Sequence, residues 1–147
     1  MPIWFKNYSV EKANNMGKGT LFEHLGIKIT SLEDTCIVGR MPIEDKVRNP
    51  FGTIHGGAMI AMAEELSGLG SNLVVDCSLE YCVGIEINAN HISSAFEGVI
   101  IGKSSPLHLG KATHVWETRI YNNNKLLSIG RMTMMILKNK PIITTRS

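Results

Sequence analysis

The chain has 147 residues, 44% of them hydrophobic and 19% charged, with a mean hydropathy of +0.04. That is material for one globular domain over residues 1–147, since two separate cores would each be marginally small. The 15 basic and 13 acidic residues leave a formal charge of +2. No run of Lys or Arg builds a stripe able to follow a phosphate backbone, which argues against nucleic acid as a partner.

Cys36, Cys77 and Cys82 are odd in number and form no CxxC pair, so they read as reduced thiols of a cytoplasmic protein. The start, MPIWFKNYSVEK, lacks the apolar core of a signal peptide. The longest nearly uncharged stretch, 52–63, is too short to cross a bilayer, which takes about 20 apolar residues.

No repeat or linker interrupts the chain. Residues 9–16 suit a short helix capped by Ser9, and Thr20 and Glu23 stand at capping-box spacing for a second helical turn that Leu25-Gly26 closes. Two strands follow at 27–32 and 35–41, separated by Glu33-Asp34. Residues 42–53 hold Pro42, Asn49, Pro50 and Gly52 and form a loop. The one long helix spans 56–75; between 58 and 63 it is apolar on every face, which predicts burial all round.

Strands are expected at 81–91, 98–103, 112–121 and 126–137, with Asn122-Asn123-Asn124 as a hairpin turn and a frayed polar tail after Lys138. Strands joined by short turns pair antiparallel. The fold class is therefore α+β, a curved antiparallel sheet wrapped around a long central helix. The sheet's edge and outer surfaces then call for a partner, so a dimer or larger assembly is expected.

The chemistry concentrates in NPFGTIHGGAMIAMAEELSG, residues 49–68. His55-Gly56-Gly57 lies where the loop becomes the helix, and a helix start presents unpaired N–H groups at the positive end of its dipole. Without side chains at Gly56 and Gly57, a ligand carbonyl can approach those amides closely, as stabilising an oxyanion requires. Glu64 and Glu65 are carboxylates in an apolar stretch, where burial is costly unless the group is paired or working. Glu64 is eight residues after Gly56, roughly 12 Å of helix rise. One copy cannot apply both to one carbonyl, so the spacing predicts a site shared between subunits.

HGG at a helix start with a carboxylate further along resembles the hotdog-fold thioesterases. PFGTIHGG, GIEINANHISSA, SPLHLG and VWETRIY, in that order, extend the resemblance over about 4–137. Together they are most similar to the bacterial branch that hydrolyses 1,4-dihydroxy-2-naphthoyl-CoA in menaquinone synthesis, whose sister proofreads aryl carrier proteins. The resemblance implies Glu64 as nucleophile or general base, the Gly56 amide as oxyanion donor, and His55 as an orienting group. His91 would line the thioester or pantetheine region, and the assembly would be a homotetramer, a dimer of dimers.

Three departures from that pattern stand out. Asn49 replaces a longer Gln that precedes PFG in relatives, and Gly68 replaces a Ser that helps hold water. Basic residues that follow NANH in relatives are absent, the stretch here carrying Ser93, Phe96, Val99, Ile101 and Ser105, with Lys103 and Lys111 as substitutes for phosphate contact.

Plainer roles stand beside these. His55 can be a helix-entry residue, Glu65 a solvated one, His91 a strand-edge residue and His108 a loop-positioning residue rather than a substrate contact. His24 and His114 have no partners at metal spacing, so neither metal nor other cofactor is expected. Gly98 to Ser104 looks like a phosphate loop but has three residues between its glycines where four are needed. The reaction expected is acyl-CoA plus water giving acid plus CoA, with an aromatic acyl group such as 1,4-dihydroxy-2-naphthoyl or hydroxybenzoyl. The alternatives are proofreading on a carrier protein, an acyl-thioester hydratase, and a non-catalytic acyl-CoA-binding module.

Overall fold

The computed structural model describes residues 1–138, so the expected tail lies outside the described residues. Ser9 caps α1 (Val10–Met16) by accepting from the Lys12 amide at 3.1 Å. At α2 (Leu21–His24) the capping box is displaced by one residue, because the Thr20 amide already donates to the Gly17 carbonyl. Glu23 accepts instead from the Gly19 amide at 2.8 Å. Gly26, at φ +73°, turns the chain out of α2 in the left-handed region expected of it.

Then come β1 (Lys28–Leu32), β2 (Ile37–Pro42), a loop with a tight turn at Asp45–Val47, and α3 (Gly56–Val74). β3 (Glu80–His91), β4 (Val99–Leu109), β5 (Thr113–Asn122) and β6 (Lys125–Lys138) complete the order. The six strands form one antiparallel sheet, β1-β2-β4-β5-β6-β3, and α3 packs on β2 through β6. The α+β class stands.

Three local expectations change. β3 does not pair with β4, its successor in the chain, but lies beyond β6 as a free edge. β4 runs past 103 to Leu109 because an irregularity between Pro106 and His108 absorbs a residue that cannot donate to the ladder. Nor is α3 buried all round: Met59, Met62, Ala63 and Leu66 are buried, whereas Ala58, Ile60 and Ala61 are half-exposed, since only one side meets the sheet. The hairpin turn is as expected, with Asn123 and Asn124 at φ +46° and +65° between β5 and β6.

Glycines decide how α3 seats. Gly39 and Gly102 are register partners on β2 and β4, and a Cβ on either would come within 2.7 or 2.6 Å of a Leu66 methyl. The pair makes a notch for that leucine. Gly70 of α3 likewise admits the fully buried Trp116, which stacks on Trp4 at 6.5 Å between ring centroids. Beneath the helix the buried hydroxyls of Ser67, Ser104 and Thr118 satisfy one another at 2.8–3.2 Å. His114 is buried against the Ser71 hydroxyl at 3.3 Å; burial, and then His108, push its pKa down, which disfavours the charged ring. Burial likewise pushes the Cys82 thiol up to about 12.

Candidate active site

Arg48 shapes the loop that enters α3. Its guanidinium donates to the carbonyls of Ile43, Gly52 and Phe96 and to the Asp45 carboxylate, tying segments 43–54 and 94–97 together. Asn49 pins the turn inside that loop: its Oδ1 accepts from the Phe51 and Thr53 amides at 3.0 and 3.2 Å, and its Nδ2 donates to the Thr53 hydroxyl at 2.8 Å. The Asn49 side chain is thus committed to the turn that delivers His55, not extended toward a ligand.

His55 is the N-cap of α3, and its Nδ1 accepts the Gly57 amide at 2.8 Å. Two free glycine amides were expected at this helix start. Gly57 is spent on the cap, and Gly56 alone has an N–H with no acceptor among the described residues. Gly56 has no room for a side chain, because a Cβ there would stand 2.7 Å from His91 Nε2. His91 reaches it from the end of β3 and is held through Nδ1 by the Ser128 hydroxyl at 3.0 Å. One chain therefore brings His55, Gly56, Gly57 and His91 together.

Glu64 is elsewhere, further along α3 and exposed, at a cavity of about 530 Å³ that it shares with Glu65, Gly68, Gly84, Met16, Phe22, Met132 and Met134. Burial and then the neighbouring Glu64 push the Glu65 carboxyl up, and Glu65 is half-buried. Both carboxylates line the cavity, Glu64 as the more exposed of the two. Gly84 faces it from β3, where a Cβ would lie 3.4 Å from Glu64 Oε1. A Cβ at Gly68 would meet only Met134, at 3.8 Å.

The remaining candidates lie apart. The Ser93 hydroxyl donates to the Leu126 carbonyl, fastening the chain after β3. Lys103 lines an open depression with Val99, Ile101 and Tyr121. His108 packs on Gly110 beyond the irregularity in β4, and neither it nor Lys103 reaches the cavity of Glu64. No group of three metal-ligating side chains occurs among the described residues. Sequence reasoning passed over Gly84, although an isolated Gly inside a strand is itself a sign of a bulge or close approach. Arg48 and Ser128 carried no such sign.

The sequence pattern of the thioesterase superfamily matches residues 51–129, the stretch that holds the helix start, Glu64 and β3 to β5. The chain belongs to the thioesterase superfamily. A second pattern, a domain of unknown function, matches residues 12–80.

The thioesterase chain is 35% identical over 136 residues to the 1,4-dihydroxy-2-naphthoyl-CoA hydrolase of Escherichia coli, covering 92% of this chain and 99% of that one. It is 38% identical over 120 residues to the proofreading thioesterase EntH of Cronobacter turicensis, covering 82% and 87%. Among solved structures, a mutant thioesterase from Pseudomonas aeruginosa superposes with a TM-score of 0.91 at 35% identity, covering 93% and 99%. This superfamily member is a thioester hydrolase with the hotdog fold, which sets aside the hydratase and the non-catalytic binding module. Among its described residues no helix is long and apolar enough to cross a membrane.

Proposed function

We propose that this thioesterase hydrolyses aryl-CoA esters at sites each built from two copies of the chain, every copy being a single hotdog domain. The observation that carries the reading is the separation of its two apt groups. The unbonded Gly56 amide and the Glu64 carboxylate stand eight residues apart on one helix, roughly 12 Å along its axis.

β3 offers the remedy. Gly56 adjoins His91 at one end of that strand, while Glu64 adjoins Gly84, seven residues earlier. The strand is a free edge carrying an exposed Ile85, as favours strand pairing. Antiparallel pairing of two copies of β3 about Ile87 and Asn88 sets Gly84 of one opposite His91 of the other. Each Glu64 then approaches the other copy's Gly56. Replacing Ile85 with Asp is expected to leave a folded monomer without activity, read by light scattering beside thiol release; an active monomer would sink the shared site.

In this arrangement the Gly56 N–H and His55 polarise the thioester carbonyl while Glu64 takes a proton from water. The water oxygen bonds to the carbonyl carbon, and the resulting oxyanion rests on the Gly56 amide. Collapse breaks the C–S bond, and the thiolate leaves with the proton that Glu64 held. Gly68 and Gly84 leave the carboxylate uncovered, with room for that water.

Met16, Met132, Met134 and Phe22 in the cavity support an aromatic acyl group, since thioether sulfur packs well against ring edges. The 1,4-dihydroxy-2-naphthoyl group is the first candidate, hydroxybenzoyl the second, and a dimer of such dimers the assembly. Among the described residues no Lys or Arg lines the cavity, so it selects the acyl end and leaves the carrier open. An aryl carrier protein is therefore the second reading. The test is thiol release from benzoyl-CoA, 1,4-dihydroxy-2-naphthoyl-CoA, a medium-chain acyl-CoA and an aryl carrier protein. The aryl-CoA esters are expected to react fastest; a preference for the medium chain would overturn the substrate class, and one for the carrier protein would favour the second reading.

A further inference from the structure

We propose that Ser128 is the positioning residue that fixes the His91 ring, so that a bare Nε2 at the start of α3 accepts an amide N–H from the thiol arm of the substrate. His91 and Ser128 face one another across β3 and β6. The Ser128 side chain is buried, with Oγ 3.0 Å from His91 Nδ1 and 3.3 Å from the Asn90 carbonyl oxygen. The 3.3 Å contact lets the one hydroxyl hydrogen go to the Asn90 carbonyl, which only accepts. With the hydrogen there, His91 Nδ1 is the donor to Ser128, and the neutral ring is left with a lone pair on Nε2.

His55 is set the opposite way. Its Nδ1 accepts from the Gly57 amide, so the neutral ring carries its hydrogen on Nε2. The helix start thus holds two kinds of group: donors in the Gly56 N–H and His55 Nε2–H, and an acceptor in His91 Nε2. The donors suit a thioester oxygen. The acceptor suits the half of the substrate that carries N–H groups, the amides of a pantetheine arm. A bare Nε2 has no proton for the leaving thiolate, which leaves that duty to Glu64. The tautomer rests on Ser128 donating to Asn90 and not to His91; the role given to it rests on the hydrolase reading above.

The test uses the intact oligomer with nitrogen-15 in its histidines, at a pH well above the imidazole value of about 6.5. In the parent protein the His91 Nδ1 should resonate as the protonated nitrogen and Nε2 as the bare one. Ser128→Ala should move the hydrogen toward Nε2, and Ser128→Thr should keep it on Nδ1. In kinetics, Ser128→Ala should raise KM for the CoA ester about three- to tenfold, the effect of one weakened hydrogen bond, with kcat little changed. An ethanethiol ester of the same acid, which has no amide, should be unaffected, and Ser128→Thr should restore KM. A parent His91 protonated on Nε2, or an equal loss on both esters, would overturn the proposal. If no ester is turned over by the parent, the hydrolase reading fails separately, and the nitrogen spectra still decide the tautomer.

Discussion

Glu64→Gln is expected to lower kcat/KM for the aryl-CoA substrate about a thousandfold, the scale on which a positioned proton acceptor contributes. Glu64 is exposed and makes no hydrogen bond or ion pair among the described residues. The amide therefore removes proton affinity and little else, and the melting temperature should stay within a degree or two of the parent. A variant that keeps a tenth of the activity would show that Glu64 does not take the proton. Glu65 is the built-in control: it lines the same cavity, and burial pushes its carboxyl up, yet Glu65→Gln should leave turnover largely intact.

Gly56→Ala is the second large effect, expected to cost about a hundredfold in kcat. The added methyl would stand 2.7 Å from His91 Nε2 and 2.9 Å from its Cδ2. Either the ring or the first turn of α3 must yield, and a shift near 1 Å displaces the amide from where an oxyanion forms. The check is a double-mutant cycle with His91→Ala, which should be strongly non-additive because the two substitutions act on one contact. Additivity would mean that Gly56 matters for some reason other than His91. Mixing Gly56→Ala with Glu64→Gln copies should recover roughly a quarter of the parent activity, since half of random dimers would each hold one intact site.

Much of this was legible in the chain because the signals were local. The prolines at 42 and 50, the glycine pair at 56 and 57, and the apolar run after them bracket α3 to within a residue of its observed Gly56–Val74. Ser9 and the Asn123-Asn124 turn follow from side-chain and backbone preferences that need no partner. What was not legible depends on contacts distant in sequence. The place of β3 beyond β6 is set by pairing between residues far apart in the chain, from His91 with Ser128 to Tyr81 with Leu137. The extra length of β4 depends on a distortion at Pro106 that composition alone argues against. At the site, Gly56 and Glu64 stood out by type, but the loss of the Gly57 amide to His55 and the withdrawal of Asn49 into its own turn are matters of geometry.

The distance between Gly56 and Glu64 along α3 carries a further consequence for how such a protein behaves on dilution. If each site is shared between two copies as proposed, specific activity becomes a property of concentration: below the dissociation constant of the pair it falls in proportion to the protein present. Substrate lodged between two copies would in turn draw them together, so the same dilution should inactivate the protein less when an aryl thioester is already present.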